Sequence, residues 1–484
     1  MVANTPHYNR LIRECPHTAI AASGAAVGLP GHEVGNSEVG HMNLGAGRIV
    51  EQDISLINRQ IAEGSFYKNR VILKAMADCR NAGSTLHLIG IVSDGGIHSH
   101  INHLLALLKM AKDMGNKKVL IHAITDGRDT PPQKGIEFIN KLEYACNRFG
   151  VGKIATIIGR IYLDRKGNWS RTKVLYDLLT EGRGIGENNS RSAISNAYRN
   201  GQMDEYIVPR KIKYNYRKIQ NRDAVIFFNF RSDRTKQITQ AFLDEDFKFF
   251  RRKYLPDLDF VTFIPYGTEM EVTSRAKPAF PSVTINNTLA AYVENLNLKQ
   301  FHIAETEKFA HVTYFFNGNI NDPYKGEDRT LVPSPDVGSY AEKPEMSIDS
   351  VTSNLVKIIA RKEHHFMLCN FANGDMVGHT GDFKAAVAAV ESIDHSLREV
   401  LKSCVDNETN VIITADHGNI EQMVDPETGQ PDPEHTRNPV PLILFTNKKD
   451  INLKGAGRLG NVVATALAFS NYQIPKYFFD NLIS

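Results

Sequence analysis

Short apolar runs alternate along this chain with longer helical patterns, and no other feature constrains its fold as tightly. The runs are Leu86–Val92, Val119–Ile124, Ile154–Ile158, Ala224–Phe230, Phe260–Ile264, Phe366–Phe371, Val411–Thr414 and Leu442–Phe445. Rich in Val, Ile, Leu and Phe, they read as strands buried on both faces. Between them, apolar residues recur with helical spacing. In Asp382–Leu401 the stripe is Val387, Val390, Leu397, Val400 and Leu401, with Asp382 as the expected N-cap. A second stripe lies in Ile101–Met114 and stops at Gly115. Strands alternating with helices specify α/β layers with mainly parallel sheets. A chain of 484 residues is too long for one ordinary core, so two domains are expected.

Several strands end in polar residues: Ser93-Asp94-Gly95-Gly96, Thr125 to Asp129, Asn373-Gly374-Asp375 and Asp416-His417-Gly418. Ligands of open α/β sheets bind beyond the carboxyl ends of the strands, so site residues are sought there. A net charge of +3 is too weak to argue for nucleic acid. The most basic stretch, Pro209–Arg222, reads as a solvated connecting segment. No apolar run approaches the roughly 18 residues that span a bilayer. Five cysteines without a C-x-x-C spacing argue against a disulfide framework and for a reducing compartment. That compartment is the cytoplasm or, for a chain made inside a plastid, its stroma; the N-terminus has no signal-peptide core.

The C-terminal region concentrates metal-ligand chemistry. Asp375 and His379 are spaced i, i+4 in NGDMVGHTG, Asp416 and His417 are adjacent in IITADHGN, and His435 follows in EHTRNPVP. One His near one Asp is ordinarily a surface or core pair. Three such elements at strand ends, flanked by glycines, point instead to metal. Imidazole and carboxylate without thiolate suit manganese or zinc, and magnesium less well. The ligands outnumber what one four-coordinate ion takes, so two metals are expected, as in phosphoryl transfer.

Near the N-terminus, Ser37 sits in GNSEVGH between glycines that allow close backbone approach. A serine hydroxyl needs a base or a metal to become a nucleophile. The segment has neither a Walker pattern nor G-x-G-x-x-G, and its plain reading is a turn-rich loop before a helix. A dispersed basic set completes the inventory: Arg160, Arg165, Arg231, Arg234 and Lys308, with His98, Arg128 and Asp129 at strand ends. Guanidinium forks match phosphate and carboxylate geometry, although any one of them could be a surface ion pair.

Together, GNSEVGHMNLGAGR, SDGGIHSH, DGRDTPP, FFNFRSDR, AETEKFAHVTYFFNG, NFANGDMVGHTG and TADHGN resemble the cofactor-independent phosphoglycerate mutases, a family of alkaline-phosphatase-like metalloenzymes. The match runs in order along nearly the whole chain. The resemblance implies interconversion of 3-phosphoglycerate and 2-phosphoglycerate through a phosphoserine at Ser37, with two Mn2+ or other divalent ions and no 2,3-bisphosphoglycerate. Asp375, His379 and His435 would hold one metal; Asp416, His417 and the Ser37 oxygen would hold the other. His98, Arg128, Asp129, Arg160, Arg165, Arg231, Arg234 and Lys308 would bind the substrate, with Asp129 moving protons at the glycerate hydroxyls. The implied architecture is a phosphatase-like α/β sandwich, residues 1–51 and 283–484, with an α/β transferase-like domain, 52–282, inserted and hinged. A monomer is implied, whose partner is the small-molecule substrate, with no nucleic acid and no membrane.

Family members begin with a strand ending in Leu-Asp-Gly, whose Asp ligates the metal shared with the serine. No Asp precedes Asp53 in this sequence, so one metal carboxylate and one interior strand of the sheet are expected to be missing. Either the start lies upstream, or the chain is a truncated, inactive remnant that binds anions only. A phosphatase or phosphopentomutase of the same superfamily is the rival enzyme, and SDGGIHSH and DGRDTPP argue against it.

Overall fold

The computed structural model describes residues 2–266, 275–281, 284–446 and 451–484. The chain divides into two compact units, Met1–Gln52 with Thr284–Ser484, and Asp53–Val283. Residues 282 and 283, where the sequence places a domain boundary, lie outside the described residues.

The Asp53–Val283 unit is built on an eight-stranded sheet in the order Ile185–Glu187, Arg210–Ile212, Lys153–Gly159, Val119–Thr125, Leu86–Ile91, Ala224–Phe227, Asp259–Thr262, Ala276–Pro278. Neighbours run parallel except Lys153–Gly159 against Arg210–Ile212. Leu86–Ile91, Val119–Thr125 and Ala224–Phe227 are buried at every position, as continuous apolar runs under helices on both faces must be. Helix Ile101–Asp113 buries Leu104, Leu107 and Leu108 and stops before Gly115, which takes a φ of 74°. The carboxyl ends of four adjacent central strands carry His98, Asp129, Arg160 and Arg231 in the segments that follow them.

Pro209–Arg222 is only partly a solvated connection: Arg210–Ile212 is a sheet strand, and Arg210, 2% exposed, is ion-paired to Glu187 of the strand beside it. The carboxylate partner makes the burial of a guanidinium tolerable, and no local pattern announces it.

Three buried histidines make this fold acid-sensitive. His103 is pushed down to about 3 and His302 to about 4, in both cases by burial first, and His122 lies well below the ordinary value for the same reason. They stay neutral in the folded chain, whereas unfolded histidine takes up a proton below pH ~6.5. The unfolded state therefore binds more protons under acid conditions, and stability falls as pH drops from ~6.5 toward those lower values. At pH ~5 His103 and His302 each remove about 2 kcal/mol, and His122 acts in the same direction. Thermal unfolding should show a Tm several degrees lower at pH ~5 than at pH ~7; an unchanged or higher Tm would contradict this.

The Met1–Gln52 and Thr284–Ser484 unit contains two sheets among the described residues. One is parallel, in the order Glu327–Val332, Gln300–Glu305, Phe366–Asn370. The other runs Val411–Thr414, Val440–Phe445, His17–Ala21, Gly457–Arg458, with antiparallel pairing on both sides of Val440–Phe445. Strands Phe366–Asn370 and Val411–Thr414 are half-buried throughout, not buried on both faces as their sequences suggest. Each is the last strand of its sheet, so one long edge has no ladder partner among the described residues. Both nevertheless pack on the same two clusters. Phe366, Leu368 and Ile412 lie against one that includes Ile20 and Leu442; Met367, Cys369 and Val411 lie against one that includes Phe301 and Val400. Helix Phe383–Asp406 starts as expected, with the Asp382 carboxylate accepting from the amides of Lys384 and Ala385.

Candidate active site

Ser37 is the first residue of helix Ser37–Ala46, whose N-cap Asn36 accepts from the Val39 amide at 3.0 Å. A helix N-terminus offers free amides and positive potential, a suitable place for a phosphorylated side chain. The helix lies hard against the segment bearing Asp416, because Gly40 leaves room: a Cβ there would stand 2.4 Å from the Asp416 carbonyl oxygen. The Ser37 hydroxyl is buried. It accepts a hydrogen bond from Lys308 Nζ at 2.6 Å and meets His417 Nε2 at 2.8 Å. His417 Nδ1 faces the Gly418 carbonyl at 3.3 Å, which places the ring proton there and leaves Nε2 to accept from the serine.

The same tautomer logic runs through the neighbouring histidines. His379 Nδ1 donates to the Pro433 carbonyl at 2.8 Å, and His435 Nδ1 donates to the Gly35 carbonyl at 2.7 Å. All three rings are thus anchored by Nδ1 and present the Nε2 lone pair. His379 Nε2 and His435 Nε2 stand 2.9 Å apart, and Asp375 Oδ1 lies 3.2, 3.0 and 3.8 Å from the Nε2 atoms of His379, His435 and His417. Lone pairs this close need a cation among them, and backbone carbonyls behind each imidazole are the usual outer support of a metal ligand. Donor atoms of Asp375, His417 and His435 all lie within 4.8 Å of one another. The residues fit a divalent ion with mixed nitrogen and oxygen ligands.

Electrostatics agree. With no ion bound, burial alone would raise the Asp375 carboxyl, but Nε2 protons of the His379 and His435 rings, standing in place of the ion, and the Lys308 ammonium hold it well below the usual carboxylate range. Asp416, largely buried, is likewise held far down by His417, His41 and Lys308 against the effect of burial. Burial lowers His417, so its imidazole is neutral and its lone pair available. Lys308 is ion-paired to Asp375 as well as bonded to Ser37.

In the Asp53–Val283 unit His98, Arg160, Arg165 and Arg231 gather around two carboxylates, Asp129 and Asp233. Asp129 Oδ2 is 2.5 Å from Arg160 Nη1 and 3.9 Å from His98 Nε2. Asp233 lies 3.2 Å from His98 Nδ1, 2.7 Å from Arg165 Nη1 and 3.7 Å from Arg231 Nε. Burial and the nearby Arg160 and Arg165 push the Arg234 guanidinium down to about 10, which records how crowded the positive charge is. Arg128 stands apart, exposed, with Glu205 at 3.9 Å.

Sequence reasoning passed over several residues that organise these clusters. His41, one helical turn after Ser37, contacts the Ser37 carbonyl at 2.9 Å and Asp416 Oδ2 at 3.3 Å, and its i, i+4 spacing from the serine was the available signal. The Asn419 amide donates to Asp375 Oδ1 at 3.0 Å. Asp126 and Asp233 flank residues that were singled out, but nothing local marks them as charge partners.

Comparison with known proteins agrees with this geometry. A family model described as the BPG-independent PGAM N-terminus matches residues 57–268, and one described as type I phosphodiesterase / nucleotide pyrophosphatase matches residues 314–425. The chain is 45% identical over 478 residues to a 2,3-bisphosphoglycerate-independent phosphoglycerate mutase of Clostridium kluyveri, covering 98% of this chain and 93% of that one. Identity to the enzyme of the same name from Acetivibrio thermocellus is 43% over 480 residues, with the same coverage. The crystal structure of Leishmania mexicana phosphoglycerate mutase at low cobalt concentration superposes with a TM-score of 0.74 at 32% identity, covering 100% of this chain and 93% of that one. This chain belongs to the 2,3-bisphosphoglycerate-independent phosphoglycerate mutase family.

Proposed function

We infer that the chain interconverts 3-phosphoglycerate and 2-phosphoglycerate, with Ser37 carrying the phosphoryl group between the two hydroxyls. The observation that carries this reading is the Ser37 hydroxyl, held at a helix N-terminus between Lys308 and a neutral His417, beside converging histidine and aspartate ligands. Asp375, His379 and His435 would hold one Mn2+ and Ser37, Asp416 and His417 the other. Ions held there supply positive charge that acidifies the serine hydroxyl and neutralises phosphoryl oxygens.

The steps belong to the side chains. Ser37 Oγ, its proton already lost to water under the charge that bound ions would supply, attacks phosphorus and the substrate's ester O–P bond breaks. Asp129 enters the step protonated and gives that proton to the freed glycerate oxygen, so Ser37 leaves the second transfer ionised again. The glycerate reorients, its other hydroxyl returns a proton to Asp129 and attacks the phosphoserine, and Ser37 is released. Lys308 donates to Ser37 Oγ throughout and stabilises its developing charge. His98, Arg128, Arg160, Arg165, Arg231 and Arg234 grip the carboxylate and phosphate; Arg160 contributes Nε, which has no hydrogen-bond partner among the described residues. The chain acts as a monomer, which one sedimentation run tests.

The deciding assay is conversion of 3-phosphoglycerate with Mn2+ present and 2,3-bisphosphoglycerate absent, before and after chelation. Activity should fall at least about 100-fold with EDTA and return with Mn2+. Activity that needs 2,3-bisphosphoglycerate, or that survives chelation, would sink the reading.

A further inference from the structure

We propose that Asp126 is the positioning residue of this site: it sets the place and the electrostatic partner of Asp129 without touching substrate. The inference rests on the role given to Asp129 above.

Asp126 follows strand Val119–Thr125 and is 3% exposed. Its carboxylate ties together the carboxyl ends of three adjacent strands. Oδ2 accepts from the Ser93 hydroxyl at 2.7 Å, beyond strand Leu86–Ile91. Oδ1 accepts from the amides of Arg128 at 3.3 Å and Asp129 at 3.1 Å, closing the loop that bears both. Oδ1 also takes Nη1 of Arg160, beyond strand Lys153–Gly159. With four donors around a buried carboxylate, no face is left for a ligand. Burial alone would raise this carboxyl, but Arg160 and the Ser93 hydroxyl hold it below its ordinary value, so it is a fixed negative charge.

Arg160 Nη1 is shared, reaching Asp126 and Asp129 together while the side chain is 1% exposed. Asp126 therefore controls Asp129 twice. It pins the Asp129 backbone through the amide, and it takes part of the Arg160 charge that Asp129 would otherwise meet alone. Without the Asp126 charge, Arg160 turns wholly to Asp129. A carboxylate locked in a buried one-to-one pair is poorly placed to give and take protons at the substrate hydroxyls.

The test is Asp126→Asn in the full chain. The amide keeps an oxygen for the two backbone donors and loses the charge against Arg160, while its NH2 faces the Ser93 hydroxyl, which turns to accept from it. We expect kcat to fall about 100-fold, with KM within about threefold because Arg160 keeps its Nε for the substrate and the other gripping side chains do not touch Asp126, and thermal unfolding close to wild type. A purely structural role predicts wild-type kcat in any variant that folds, and that result overturns the inference. A raised KM with unchanged kcat also overturns it, since Asp126 would then serve binding. If Asp126→Asn does not fold, Ser93→Ala decides, because it disturbs the same carboxylate through its other oxygen. There a fall in kcat of about tenfold at constant KM supports the proposal, and an unchanged kcat refutes it. Asp129→Asn runs in parallel. If that variant stays active, the role given to Asp129 has failed; if it is dead while Asp126→Asn is normal, only the positioning inference has failed.

Discussion

Replacing Ser37 with alanine is expected to lower mutase activity about 10⁴-fold or more while leaving the fold intact. The substitution removes one oxygen from a buried position at the first turn of a helix. Its two partners keep other contacts: Lys308 remains paired with Asp375, and His417 still meets the Gly418 carbonyl and stacks on His435 at 3.9 Å. Alanine is also well tolerated within a helix. Thermal unfolding should therefore stay within a few degrees of wild type. Activity has no such reserve, because a lost nucleophile abolishes both halves of a two-step transfer, and losses of this order follow its removal in other enzymes with covalent intermediates. Mass spectrometry of wild type quenched during turnover should find phosphate on the peptide containing Ser37, and none in the variant. Turnover persisting in Ser37→Ala would show that the phosphoryl group is carried elsewhere.

Lys308→Met comes second in expected effect, and it acts on stability as well as rate. Methionine keeps most of the aliphatic stem and deletes the ammonium, a side chain only 3% exposed. The serine oxygen loses its donor at 2.6 Å, and the phosphoryl group loses a fixed positive charge next to the bond being made. Removing one preorganised donor of this kind costs about 10²–10³-fold in kcat. Asp375, largely buried, loses its ion pair too, which in the metal-free protein should cost about 3 kcal/mol. A divalent ion at the same carboxylate offsets part of that loss. The Tm deficit of Lys308→Met should therefore be large in chelator and smaller with Mn2+. Equal deficits in both conditions, or an unchanged kcat, would contradict the assignment.

The periodicities carry most of the architecture. Each of the eight apolar runs overlaps a strand, and both helical stripes are helices: one stops at Asp113 just before Gly115, and the other starts after its Asp382 cap and continues past Leu401 to Asp406. Seven of the described strands escaped notice: His17–Ala21, Ile185–Glu187, Arg210–Ile212, Ala276–Pro278, Gln300–Glu305, Glu327–Val332 and Gly457–Arg458. They are rich in polar or small residues, whose burial depends on partners far along the chain. Gln300 donates to the Ala290 carbonyl at 2.9 Å and Glu305 accepts from the Ser347 amide at 3.0 Å. Arg210 belongs to the same class, since its burial is legible only once Glu187 lies beside it.

The candidate site divides along the same line. Asp375, His379, Asp416, His417 and His435 stood out in the sequence because three imidazole and carboxylate elements at strand ends are rare for any other reason, whereas Ser37, in a glycine-rich loop, stood out only through the family resemblance. The sequence by itself also determined the strand–helix alternation, because side-chain periodicity is a local property of the chain. Pairings were not legible in this way. That Asp126 holds Arg160 and the loop of Asp129, that Asp233 gathers His98, Arg165 and Arg231, and that three imidazoles turn their Nε2 atoms toward Asp375 Oδ1 were decided by the tertiary structure alone. Which charge meets which depends on strand order and on the height at which each strand ends, and those follow from packing the whole sheet at once.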